Sequence, residues 1–499
     1  MVVAIKRNAL PWLSLSAVVV VLDQLSKLWV LRSLPEFPEM APIHEEKHVG
    51  ALAGVIDEWE PENPQFWNEK GRAIARRNLW LSVPALLLAF VIWMVWSVVV
   101  AKLPSIGFKL TTDQLFWLAA MPGLSGATLR IFYSFMPPIF GGRLWTAVST
   151  WSLMIPAVGI GLAVQSPDTP YIILLSLALL CGFGGGNFAS SMANISFFFP
   201  KAEKGTALAL NAGLGNLGVS VGQFVIPLVI TSGVFGWLGG EPQQASEGTK
   251  LWLQNAGFIW VPFIAASAIA AWFGMNDIAA MKASFADQAV IFKRKHNWVM
   301  CLLYTGTFGS FIGYSAAMPL LVKTQFPGIT ANVAFIGPLV GSLFRPLGGL
   351  LADRVGGARV TVWNFIDMGA GVLGVLAALD ADSFGLFLTS MLVLFATSGV
   401  GNGSTYRMIP AIFRAKSDNL VAARHEAAAV IGLVSAIGAL GGFLIPRAFG
   451  MSIAQTGSID AALYGFLIFY VACVGTTWLL YLRRSLFASR MPSLAEARV

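Results

Sequence analysis

Residues that carry covalent or metal chemistry are scarce in this 499-residue chain, which has three cysteines, four histidines and only 12% charged side chains. Cys181, Cys301 and Cys473 all fall inside apolar stretches without metal-ligand spacing, so neither a disulfide framework nor a zinc site is indicated. His44, His48 and His296 fall in loops and His425 at a helix start. No nucleophile elbow, phosphate-binding glycine loop or HExxH motif is present, so no catalytic site and no cofactor are expected. The net charge of +8 carries no nucleic-acid signature, because the basic residues are spread along the chain in a pattern that reports topology.

What the chain has in abundance is apolar length. Hydrophobic residues make up 56% of it, and stretches of about 20 residues, the length that crosses a bilayer core, recur throughout. They are read at 79–101, 113–138, 144–164, 170–198, 207–235, 254–274, 297–322, 330–351, 359–379, 383–410, 426–449 and 462–482, which predicts an all-α, twelve-helix membrane protein. If the span beginning at Leu79 starts in the cytoplasm, that side collects most of the loop Lys and Arg. The other side holds only Lys102, Lys109, Lys250, Lys323 and Arg447. The positive-inside bias therefore places both ends of the twelve-helix unit in the cytoplasm.

Two arginines interrupt this apolar background at equivalent places. Arg130 in LRIFYSFMPPIFGGRLWT and Arg345 in FRPLGGLLADRVGGARVT stand 215 residues apart, and each is followed by a Gly-Gly pair (Gly141-Gly142, Gly356-Gly357) and a threonine (Thr146, Thr361) at matching distances. An intramembrane arginine costs at least ~2.5–3.5 kcal/mol and by default marks a substrate or ion pathway. A repeated pair predicts a pseudo-symmetric anion site. The repeat extends further: Phe90, Trp93, Trp96 and Ser97 align with Phe308, Phe311, Tyr314 and Ser315, CGFGGGNF (181–188) with SGVGNGST (398–405), and Gly213, Gly222, Phe224, Ile226 and Pro227 with Gly432, Gly441, Phe443, Ile445 and Pro446. Two parallel six-helix repeats follow, rocking about a site near the midplane. The glycines read mainly as helix packing. The amides among them, Asn187, Asn194, Asn211, Asn216 and Asn402, need partners once buried. Asn216 is the sharpest, since its repeat mate Ser435 is also polar and the two would suit a small oxyanion.

From about Trp59 onward the chain resembles the nitrate/nitrite porters, NarK type, of the major facilitator superfamily. The resemblance rests on GFGGGNFASSMANISFFFPKAEKGTALALNAGLGNLG (182–218), similar to the family's nitrate signature, and on its counterpart GLVSAIGALGGFLIP (432–446). GLLADRVGGAR (349–359) is similar to the superfamily's loop motif, from which the first half departs by carrying Pro138 in place of Asp353. The resemblance implies that Arg130 and Arg345 bind the anion, that Asn216 and Tyr304 hydrogen-bond it, and that Phe90, Phe188 and Phe308 enclose it. Nitrate and nitrite are flat, delocalised monoanions, suited to a planar guanidinium and aromatic walls.

The expected organisation is an extra N-terminal apolar helix over 1–43, a polar connector over 44–78 that is unnecessary for transport, six-helix bundles over 79–275 and 297–484, a cytoplasmic linker over 276–296 and a tail over 485–499. Residues 7–37 resemble the first transmembrane segment of a lipoprotein signal peptidase, including Asp23, Gln24 and Lys27, without that enzyme's later helices. The expected activity is nitrate/nitrite antiport across the inner membrane by a chain surrounded by lipid and favoured as a monomer. A nitrate/proton symporter is the alternative. Antiport follows from charge: at roughly 8 Å and an effective dielectric near 20, two empty-site arginines repel by about 2 kcal/mol, so closure is easiest around an anion. The only mid-span acid singled out, Asp367 in the ninth span, is expected at the bundle periphery.

Overall fold

A computed structural model describes residues 54–245, 248–279, 293–415, 420–483 and 494. The expectation of an apolar helix over 1–43, and most of the proposed linker and tail, lie outside the described residues. Eleven helices among the described residues are long and apolar enough to cross a membrane: α1 (Pro64–Ile106), α2 (Thr112–Tyr133), α3 (Gly142–Ala163), α4 (Tyr171–Phe198), α5 (Lys201–Val229), α6 (Asn255–Gly274), α8 (Ala331–Val355), α9 (Gly357–Asp380), α10 (Phe384–Ala415), α11 (Val430–Thr456) and α12 (Asp460–Leu482). Between α6 and α8 runs α7, in which Lys295–Tyr304, a π turn Thr305–Gly309 and Ser310–Gln325 form one continuous helix. Glycine, serine, threonine and tyrosine make α7 more polar than its neighbours. It tolerates them because it is buried against protein rather than lipid along Ser310–Val322. The protein is thus a multi-pass, helical membrane protein, and with twelve crossings both ends of the described bundle lie on one face, the terminal face.

The repeat seen in the sequence is a repeat of packing. Gly126 of α2 meets Gly182 of α4, and its repeat mate Gly341 of α8 meets Gly399 of α10, each contact too close for a side chain at either position. Gly222 lies against Val91 of α1 as Gly441 lies against Gly309 of α7. The two Gly-Gly loops also share a backbone: Gly141 has φ 89° and Gly356 φ 95° with extended ψ, a conformation open essentially to glycine alone. The loop partners differ between the halves. Asp353 pairs with Arg407 of α10. In the first half, where Pro138 replaces the acid, Asp277 from beyond α6 supplies it, accepting from the Arg143 backbone N–H at 2.7 Å and from its Nε at 3.2 Å.

The first helix begins at Pro64, well before Leu79, so part of the segment expected as a polar connector is built into the bundle. The physical reason lies in its aromatics. Trp67 is buried and donates from Nε1 to Glu203 at the start of α5 (3.0 Å), a carboxylate that also accepts from Arg72 (3.0 Å). Trp59 packs on Phe198 and donates to the Phe197 carbonyl. A short parallel strand pair, Gly54–Ile56 with Asn276–Ile278, ties the chain before α1 to the chain after α6. Asn276 completes the tie by exchanging hydrogen bonds with Asn78.

Replacing Gly356 by alanine should lower the thermal unfolding temperature in detergent, because the left-handed backbone strains any Cβ by about 1–2 kcal/mol. An unchanged melting curve would show that the α8–α9 loop relaxes without cost.

Candidate functional site

Where the bundles meet, the chain buries a guanidinium completely. Arg130, near the end of α2, has no solvent exposure. Its Nε donates to the carbonyl of Gly185 in α4 at 2.9 Å, and Nη1 crosses to the other half to reach the carbonyl of Ser435 in α11 at 3.0 Å. Gly126 and Gly185 make this possible: a Cβ on either would collide with Trp93, so only glycines let α2 and α4 approach and bring that carbonyl within reach. Around the guanidinium stand Phe188 at 4.6 Å, Phe308 at 5.0 Å and Trp93 at 5.0 Å from its carbon. Trp93 is oriented by its own hydrogen bond from Nε1 to the Pro122 carbonyl (2.7 Å). Cation–π contacts of this kind contribute roughly 0.5–2 kcal/mol each when desolvated, which helps a charge survive here without a counter-ion. One nitrogen, Nη2, is left with no partner.

The second wall belongs to the C-terminal half. Arg345 of α8 is 8% exposed, lies 5.5 Å from the Tyr406 ring and has an unpartnered Nη1. Tyr304 is fully buried, stacks on Phe308 at 5.3 Å and approaches Tyr406 at 5.1 Å; neither hydroxyl meets an acceptor for its proton. Tyr304 and Phe308 lie at the π turn of α7, a local widening of the helix that recurs at functional sites. Phe90, Phe188 and Phe308 are connected, with Phe90 edge-on to Phe188 at 6.0 Å and Phe188 stacked near Phe308 at 6.4 Å. Among the described residues neither arginine pairs with a carboxylate.

The asparagines differ in their partners: Asn194, packed against Gly142, has both amide atoms unpartnered, and Asn402 its amide oxygen. Asn187 donates to the Ser149 carbonyl and Asn211 to Ser191 Oγ, both inside the N-terminal bundle, as packing amides do. Asn216, on α5 between the glycines that pack on Leu86 and Phe90, is 1% exposed with both amide atoms unpartnered. Ser435 is placed differently from the expectation of a free polar mate: its hydroxyl donates to the Gly432 carbonyl and its own carbonyl receives Arg130. Asp367 lies exposed on the outside of α9. Trp93 and Tyr406 are the residues that sequence reasoning left out of the site. Trp93 stood in the aligned aromatic face, and Tyr406 directly follows the repeat segment 398–405.

A two-bundle helical fold closing on a charged, aromatic-lined centre defines a membrane transporter, and solved transporters share it. A bacterial homolog of the human lysosomal transporter Spinster aligns with a TM-score of 0.61 at 16% identity, over 84% of this chain and 97% of that one. A D-xylose-proton symporter aligns with a TM-score of 0.58 at 16% identity, over 81% and 97%. Residues 85–446 match the Major Facilitator Superfamily model. The chain belongs to that superfamily and, within it, to the nitrate/nitrite porter family: it is 52% identical to the nitrate/nitrite transporter NarU of Salmonella typhimurium over 86% of this chain and 96% of the relative, 53% identical to NarU of Escherichia coli over the same shares, and 43% identical to a probable nitrate/nitrite antiporter NarK2 of Thermus thermophilus over 86% and 97%. It is a transporter and not an enzyme.

An amide buried with no partner destabilises the protein that carries it by about 1–3 kcal/mol. Asn216→Ala should therefore leave the melting temperature of the ligand-free transporter unchanged or higher, against the decrease normal for truncating a buried side chain. A clear decrease would place Asn216 among the packing amides.

Proposed function

We propose that the chain is an inner-membrane nitrate/nitrite antiporter with both ends of its twelve-helix unit in the cytoplasm. The observation that carries this reading is the set of buried donors without acceptors at the bundle interface. Arg130 Nη2, Arg345 Nη1 and Tyr304 Oη, gathered around the Phe308 and Tyr406 rings, and the buried Asn216 amide all lack acceptors, and among the described residues neither arginine meets a carboxylate. An acceptor-rich anion suits such donors, and the aromatic rings suit a flat one. The relatives that share half of the sequence are named for nitrate and nitrite. In this reading Phe90, Phe188 and Phe308 wall the anion, Arg130 and Arg345 neutralise it, and Ser435 positions Arg130 through its carbonyl.

The geometry supports alternating access. Hydrogen bonds between the halves gather on the face opposite the chain ends: Arg447 of α11 donates to Asp113 at the start of α2 (2.8 Å) with Trp117 4.0 Å beneath it, Ser220 donates to the Phe335 carbonyl (2.9 Å), and Gln223 to the Ser315 carbonyl (2.7 Å). Such contacts hold the halves together on that face, and transport requires that seal to exchange with one on the other side. The empty site opposes the exchange because its guanidinium charges face each other without an anion. A loaded site removes that penalty, and loaded-only interconversion is exchange.

Arg130→Lys and Arg345→Lys should each abolish most nitrate counterflow in proteoliposomes: an ammonium cannot hold the Gly185 and Ser435 carbonyls with a fixed planar fork while leaving a further nitrogen free, as Arg130 does, nor reproduce the planar donors of Arg345. Exchange at the native rate in either variant would show that charge alone suffices and that the planar fork is not needed. Exchange itself should be obligatory. Vesicles loaded with nitrite should take up external nitrate, vesicles loaded with an impermeant anion should take up little, and a proton gradient should not restore uptake in the latter. Proton-driven net uptake would replace antiport by symport.

A further inference from the structure

We infer that Tyr406 is a ligand of the transported anion, and that its hydroxyl gives nitrate a hydrogen bond that nitrite lacks, so that it sets the preference between the two. The inference rests on the anion site proposed above. Three donors on the C-terminal wall have no acceptor: Arg345 Nη1, Tyr304 Oη and Tyr406 Oη. They belong to one cluster, because the Tyr406 ring lies 5.5 Å from the Arg345 guanidinium carbon and 5.1 Å from the Tyr304 ring centroid. Two phenols this close could have satisfied each other, as Tyr314 and Tyr470 do at 2.7 Å elsewhere in the same bundle. They do not, and both oxygens are buried away from water. A buried phenol without a partner forfeits its hydration and gains nothing in return.

The N-terminal wall is much poorer in free donors on its arginine, since Arg130 has given Nε and Nη1 to carbonyls. The anion is therefore held unevenly, drawn toward Arg345 and the two tyrosines. Nitrate offers three oxygens in a plane and nitrite two, the third corner being a nitrogen lone pair, a weaker acceptor. Arg130 Nη2 and the Asn216 amide come from the N-terminal half; on the C-terminal side, where Arg345 and Tyr304 serve two oxygens, the donor left for the third corner is the Tyr406 phenol. The repeat gives an internal comparison: aligning 398–405 with 181–188 sets Tyr406 against Ala189, so the donor exists in one half only.

The test is Tyr406→Phe in the full-length protein, which keeps the ring on Arg345 and Tyr304 and removes one oxygen. Equilibrium binding of nitrate and of nitrite to detergent-purified protein should be measured together with nitrate counterflow, beside wild type, Tyr406→Ala and Arg345→Lys. The inference expects nitrate affinity to fall roughly tenfold in the phenylalanine variant, nitrite affinity to change by less than about threefold, and a nitrate-induced rise in melting temperature to shrink while the anion-free melting temperature holds or increases. Tyr406→Ala should weaken both anions, with phenylalanine restoring nitrite alone. Equal losses for nitrate and nitrite in Tyr406→Phe, or no loss for either, would overturn the inference. If Tyr406→Phe is silent while Arg345→Lys loses both anions, the anion site stands and only the role of Tyr406 falls. If both variants bind nitrate normally, the anion site itself is misplaced.

Discussion

A guanidinium with no water around it is the constraint on which the rest of this molecule depends. Arg130 is held by two backbone carbonyls and three aromatic faces rather than by a carboxylate, and each of those partners makes a demand on the helices that carry it. The Gly185 carbonyl requires α2 and α4 to touch, which requires glycine on both. The Ser435 carbonyl requires α11 of the other half to stay close at the level of the site. An acid in this place would have been the simpler electrostatic solution. Carbonyls and ring faces instead solvate the charge without neutralising it, so the positive charge of Arg130 stays uncompensated among the described residues.

Much of this was legible in the chain itself because the constraints repeat. Eleven long apolar helices and the more polar α7 overlap the twelve predicted stretches, the first helix beginning earlier than its stretch, and the paired Gly-Gly motifs turn out to share an unusual backbone, with φ near +90° at both Gly141 and Gly356. Arg130, Arg345, Tyr304, Asn216 and the three phenylalanines were named from the repeat and the family resemblance, and the structure buries all seven. The start of α1 was missed. Residues before Leu79 are polar in composition, and only the tertiary partners of Trp59 and Trp67 show that this stretch is anchored to α4 and α5.

Two further features were beyond the reach of sequence for distinct reasons. Tyr406 follows an aligned segment but has alanine as its counterpart, so a reading guided by symmetry passes over it. The replacement of the first half's loop acid by Asp277 depends on chain that returns from beyond α6, and no local pattern announces a contact across 134 residues. Pseudo-symmetry is thus a good guide to helices and arginines and a poor one to the groups that differ between the halves, which are the ones able to give the site a preferred orientation for its ligand.

Gln223 shows how one side chain ties the two halves together. Its single amide nitrogen bonds both to Ser97 Oγ at 3.0 Å and to the Ser315 carbonyl at 2.7 Å, and Ser97 and Ser315 are themselves repeat mates on α1 and α7. One bond stays within its own half while the other crosses the seam, so separating the halves on this face frees one donor and one acceptor together. In a dry interior that would cost the full desolvation of both groups. On this face a separation would admit water to both, and hydration would then offset much of the broken bond, so Gln223 joins the halves without locking them.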